Sequence, residues 1–137
     1  MQPTLTRDGM RYWLIKPDPR LRAWVHCYFV VDPGAGAHSR NVEQKHEPEL
    51  LLPDGHSELI FNLEGDGYER WAVGAAAPPT VMQRSYLIGG RSHSVLTRNI
   101  GEVRLAGAKL DPRALHALIE VPLTHCRGHD VIARGSE

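Results

Sequence analysis

Cys27 and Cys126 are the only cysteines in the 137 residues, and they stand far apart. Two are too few for a disulfide-built scaffold and fit a reducing compartment, so a cytoplasmic location is expected. No stretch approaches the run of about 20 apolar residues that a membrane-spanning helix needs, and the N-terminus lacks a basic segment followed by an apolar one. No membrane association is expected. An excess of charge of one sign is missing too: 16 Lys and Arg offset 16 Asp and Glu, for a formal net charge of +0. Phosphate contacts need a basic surface, so this chain as a whole has no electrostatic basis for gripping nucleic acid.

Several chemical signatures are also missing. No Gly-x-Ser-x-Gly elbow is present, and Cys27 falls in a strand pattern. Gly89-Gly90-Arg91 is glycine-rich but has neither the spacing nor the following helix of a phosphate loop. Eight histidines invite a metal reading, yet His46, His56 and His93 stand singly, with no His-x-His pair of the kind a cupin metal site uses. His46 and Glu47, or His56 and Glu58, remain the groups that could meet across a hairpin at this point of the chain. His125-Cys126-Arg127-Gly128-His129 is read as incidental, because it falls in a polar stretch with no element signal. No metal and no cofactor are expected.

What is present is strand and turn. Thirteen glycines and ten prolines in a chain of one-domain length favour short strands over long helices. Strands are expected at Tyr12–Ile15, Cys27–Val31, Tyr68–Val73, Ser85–Ile88, Ser92–Arg98 and Glu102–Leu110, with a single helical turn from Arg20 and a loop or ragged hairpin end over 32–47. The centre of the pattern is Leu50–Leu63. Two apolar runs flank Pro53-Asp54-Gly55, whose fixed φ, capping carboxylate and tolerance of positive φ suit a turn, and a β-hairpin is expected. In its second strand Leu59, Phe61 and Leu63 share one face, while Glu58, Ile60 and Asn62 share the other. A face mixing Ile with a carboxylate and an amide suits the lining of a cavity, and equally a wall turned to water.

The period changes at Asp111. Asp111 is a good N-cap and Pro112 a good first helical residue; Ala114, Leu115, Leu118 and Ile119 then recur at helical spacing until Pro122. This single helix has no second, recognition-type helix beside it, so direct reading of DNA is not expected. The whole is mainly β: an antiparallel barrel or sandwich with a short C-terminal helix.

Leu52-Pro53-Asp54-Gly55, then Glu58-Leu59-Ile60-Phe61-Asn62-Leu63, resembles a segment of the N-terminal sensor domains of AraC-type transcriptional regulators. Leu87-Ile88-Gly89-Gly90 and Gly101–Pro112 resemble that family's next strand end and strand-to-helix junction, and Leu118-Ile119 with Val121-Pro122-Leu123 is similar as well. The matches span residues 12–131. Gly90-Arg91 stands where the family has Pro-Gln, and Arg113-Ala114 where it has a glycine pair. Lys109 and Leu110 stand near an expected aromatic.

The resemblance implies a cupin-like β-barrel over 1–122 that senses a small-molecule effector or mediates homodimer contacts, with 123–137 beginning a linker to a double helix-turn-helix domain absent here. DNA would be a partner only through that domain. For the effector, the candidate contacts are Trp24, Tyr28, Glu58, Asn62, Arg91 and Arg104, chosen for their chemistry on strands and strand ends. The alternatives are a cupin-type metal-dependent enzyme, motivated by the histidines near the hairpin, and an oligomerisation domain with a filled barrel. For dimer contacts, the helix at Pro112–Ile119 or an open sheet edge are the candidates.

Overall fold

The computed structural model describes residues 3–5, 10–33, 47–74, 76–83, 85–89, 93–119 and 130–131. In chain order they form β1 (Thr4–Leu5), β2 (Arg11–Ile15), a short 3-10 turn (Pro19–Leu21), β3 (Val25–Asp32), β4 (Glu49–Leu51) and β5 (Ser57–Gly65). There follow β6 (Tyr68–Ala72), β7 (Thr80–Met82), β8 (Tyr86–Ile88), β9 (Val95–Asn99), β10 (Val103–Leu110), α1 (Pro112–Ile119) and β11 (Asp130–Val131). The larger sheet runs β1-β2-β3-β10-β5-β8-β11 and the smaller β4-β9-β6-β7, all pairs antiparallel. Among the described residues no strand pairs across the two sheets. The mainly-β expectation therefore takes the form of an antiparallel β-sandwich with one short helix, not a closed barrel.

The strands expected from alternation form with shifted ends, β1, β7 and β11 fall where none was expected, and the partners differ from the expected ones. Leu50–Leu63 is not a hairpin: β4 pairs with β9 in the smaller sheet, whereas β5 lies between β10 and β8 in the larger. Pro53-Asp54-Gly55 is a corner between sheets. Its local chemistry is as expected, with Gly55 at φ +76 and the Asp54 carboxylate accepting the His56 backbone N–H at 3.0 Å. Turn residues bend the chain without specifying the strand it returns to. The chain changes sheets further on as well: β8 and β9 belong to different sheets, and so do β5 and β6 on either side of Gly65 and Gly67.

Register sets which residues face inward. One inner row of the larger sheet reads Cys27, Lys109, Glu58, Ile88, and the next Phe29, Gly107, Ile60, Tyr86. Phe29, Ile60, Tyr86, Ile88, Val103 and Leu105 pack there with Tyr68 and Met82 of the smaller sheet. Gly107 is small for a reason: a Cβ there would lie 2.5 Å from both the Leu59 carbonyl oxygen and Phe29 Cζ.

The opposite face of the larger sheet carries α1. Leu115, with 0% exposure, is buried against Leu87 and Leu59, and Ala114 against Ala108 and Leu110 with Tyr28 alongside. Fully burying a leucine side chain is worth about 1.5–3 kcal/mol, which fixes the helix to this sheet. Its start is capped as expected, the Asp111 carboxylate accepting the Arg113 backbone N–H at 2.9 Å. Within the stretch assigned to a linker, Asp130–Val131 pairs with Leu87–Ile88 at the sheet edge. Among the described residues no helix is long and apolar enough to cross a membrane.

Candidate functional site: a cavity between the sheets

A cavity of about 320 Å³ separates the inner faces. Ligand pockets span roughly 300–1,000 Å³, so this one is sized for a small metabolite. Most of its wall is the expected sandwich interior. Phe29, Val31, Ile60, Ile88 and Leu105 line it from the larger sheet, and Leu51 and Tyr68 from the smaller.

The exceptions are charged. Glu58 is 7% exposed and Arg70 9%, and together with Ser57 they make up the buried polar residues among those described. Both border the cavity, Glu58 from β5 of the larger sheet and Arg70 from β6 of the smaller. Each charge has lost most of its hydration, a cost that an apolar residue of similar size would not incur. Register puts Thr97 beside Arg70 and Glu49 beside Thr97, so one row of the smaller sheet carries an acid, a hydroxyl and a base into the cavity.

Facing them, Lys109 pairs in register with Glu58, its Nζ 3.9 Å from Glu58 Oε1 and 2.7 Å from Asp54 Oδ2. The corner at Asp54 thus ties into the charged row of the cavity wall. Tyr12 lines the same space and stacks on Phe29, centroids 6.2 Å apart. Burial, and then the fields of Cys27, Glu58 and Glu49, push the Tyr12 hydroxyl up to about 12. At neutral pH it is a phenol, able to donate and accept. Burial also raises the Cys27 thiol, against the pull of Lys109, so the group is a thiol and no ready nucleophile.

Of the residues singled out from sequence, Glu58 lines the cavity. Asn62 shares its inner face but donates to the Met82 carbonyl at 3.4 Å, bridging β5 to β7 of the other sheet. Trp24 is 45% exposed, with the Arg113 guanidinium 5.9 Å from its ring centroid, and Tyr28 lies under α1 on the outer face. Arg104 also points outward, in a charged row where its Nη1 donates to Glu64 at 2.8 Å and its Nε lies 3.5 Å from Asp32. Arg91 lies outside the described residues. Sequence reasoning missed Tyr12, Arg70 and Lys109. The signal for two of them was there: Arg70 alternates with Tyr68, and Lys109 with Leu105 and Gly107, so each shares a face with residues of core type.

The pairing of His56 with Glu58 does not form. His56 stacks on His26 with centroids 4.3 Å apart, its Nδ1 3.7 Å from Asp54 Oδ1. Among the described residues no three His, Cys, Asp or Glu side chains converge as a metal site requires. His46 and the segment 125–129 lie outside them.

The architecture is thus that of an antiparallel β-sandwich with a small, charge-bordered, half-open cavity between its sheets. The chain belongs to the family described as a domain of unknown function, DUF6597, whose model matches residues 14–131. No curated protein matches the chain, and no solved structure does.

Proposed function

We propose that this chain is the effector-sensing and dimerisation domain of an AraC-type transcriptional regulator, binding a small molecule between its sheets and reading no DNA by itself. The observation that carries the reading is the inter-sheet cavity with a buried acid on one wall and a buried base on the other. Buried charge beside a void makes little contribution to stability, whereas it is what orients and selects a ligand in an otherwise apolar pocket. The motif resemblance at Leu52–Leu63 and Gly101–Pro112 supplies the regulatory context, with DNA contacted through a C-terminal domain. The net charge of +0 fits a module that does not itself grip phosphate.

Signalling requires the effector to bind two arrangements of the domain, or of its dimer, with different affinity. Lys109 gives the cavity a physical link to the Asp54 corner, where the chain passes between sheets. The test is a thermal-shift screen of a metabolite library followed by sedimentation of the chain with and without each hit. A saturable stabiliser that changes the dimer population is expected. A library in which nothing binds saturably removes the sensor function.

A further inference from the structure

We infer that the outer face of the smaller sheet is the homodimer contact, packed on the same face of a second copy with the two-fold axis running along the strands between β6 and β9. This rests on the dimerisation reading above and deepens it. The helix α1 lies on the outer face of the larger sheet, and among the described residues no helix lies on the smaller one. Glu49, Arg70, Met82 and Thr97 turn inward, so alternation turns Leu50, Trp71, Val81 and Leu96 outward. Leu52 and Val73 continue that alternation, Val73 still donating its backbone N–H to the Ser94 carbonyl at 3.4 Å. Leu50, Leu52, Val73 and Val81 are all exposed. Gathered on one sheet face they mark a contact surface, which scattered single residues would not.

The charges on the face name the occupant. Its strands turn one acid and one base outward, Glu69 on β6 and Arg98 on β9, paired in register. Arg98 Nε donates to Glu69 at 2.8 Å, and the guanidinium lies 5.5 Å from the Trp71 ring centroid. The pair is complete within each chain, so covering it leaves no charge unmatched, and a face of zero net charge gives a polyanion no hold. In the order β4-β9-β6-β7 these are the two central strands. A two-fold axis along and between them sets Arg98 of one copy over Glu69 of the other, and Leu96 over Trp71. An axis across the strands at the level of the pair would instead oppose like charges. An isologous contact must be self-complementary, and this face is so in the first orientation. That orientation also keeps the strands of the two sheets aligned, as stacked sheets pack.

The experiment is sedimentation of the purified chain over a concentration series, with Arg98→Glu and Glu69→Arg measured singly and as an equimolar mixture. Wild type is expected to dimerise. Each reversal alone is expected to weaken self-association by more than roughly tenfold, because four like charges then meet at the axis. In the mixture every acid faces a base of the other copy, so heterodimers are expected at wild-type affinity or better. The pairing within each chain stays broken there, so a merely structural role for Glu69 and Arg98 gives no rescue. Leu50→Glu is the second variant; its position is exposed, and it is expected to dissociate the dimer with the thermal melt of the monomer unchanged.

A dimer that neither the reversals nor Leu50→Glu weaken overturns the inference and leaves dimerisation to another surface, as do folded reversals whose mixture fails to associate. Should the reversals unfold the chain, Leu50→Glu decides alone. A wild-type chain that stays monomeric throughout overturns both the inference and the dimerisation reading, while the sensor reading keeps its own test.

Discussion

Glu58 and Arg70, buried charges of opposite sign, stand on different sheets and border the same cavity. If they serve binding rather than folding, replacing both with apolar side chains should leave the fold intact. Glu58→Leu combined with Arg70→Met is expected to remain folded, because apolar side chains of similar volume incur no desolvation cost at these positions, while losing ligand binding. Urea denaturation and titration calorimetry on the same preparation read the two quantities. Loss of stability in the double variant together with retained binding would assign the charges to structure.

Ile60 and Phe61 are neighbours on β5 that face opposite ways, Ile60 inward at 5% exposure and Phe61 outward at 45%. Ile60→Ala is expected to cost about 2–5 kcal/mol. Phe61→Ser should change stability by no more than about 0.5 kcal/mol, as exposed substitutions do. A reversed order of the two in denaturant melts would mean that β5 is in the other register.

Asp111 holds the first turn of α1, and its carboxyl lies below the ordinary 3.8 because the Arg113 side chain donates to it, with the Arg113 backbone N–H adding to the effect. A carboxyl lowered on folding contributes stability above its unfolded pKa and loses it as pH falls through the folded value. Asp111→Ala is therefore expected to cost roughly 0.5–2 kcal/mol at neutral pH. The gap to wild type should close as pH drops below 3.8, followed by melting at stepped pH.

Tyr12 works at the other end of the scale. Its hydroxyl is raised from 10.0 to about 12, chiefly by burial. A raised group contributes stability below its unfolded pKa and loses it as pH rises through the folded one, so wild type should weaken between pH 10.0 and about 12. Tyr12→Phe is expected to lack that step. Tyrosinate absorbance gives a second reading, since the component missing from the variant should appear only near the top of this window.

Much of the fold was legible, and particular residues show where legibility stopped. The strand at β10 and the helix with Asp111 as N-cap follow from alternation and capping. Gly107 is a point of close backbone approach, a Cβ there falling 2.5 Å from the Leu59 carbonyl oxygen. Strand partners were not legible: Pro53-Asp54-Gly55 has the chemistry of a hairpin turn, yet β4 and β5 part into different sheets because pairing is decided by contacts distant in sequence. Of the site, Glu58 was read from its mixed strand face. Trp24 and Tyr28 were chosen for amphipathic chemistry, which does not say which face of a sheet they occupy. Arg70 was passed over because a charged residue in a strand is usually solvated, and only the stacking of the second sheet buries it.

Native mass spectrometry of the purified chain, with and without denaturation, tests most directly whether the cavity is a small-molecule site. Wild type is expected to carry an organic molecule that denaturation releases, or to acquire one from a metabolite extract, while the Glu58→Leu, Arg70→Met chain stays bare. A wild-type chain that remains bare in both conditions, or a double variant that loads equally well, would contradict it.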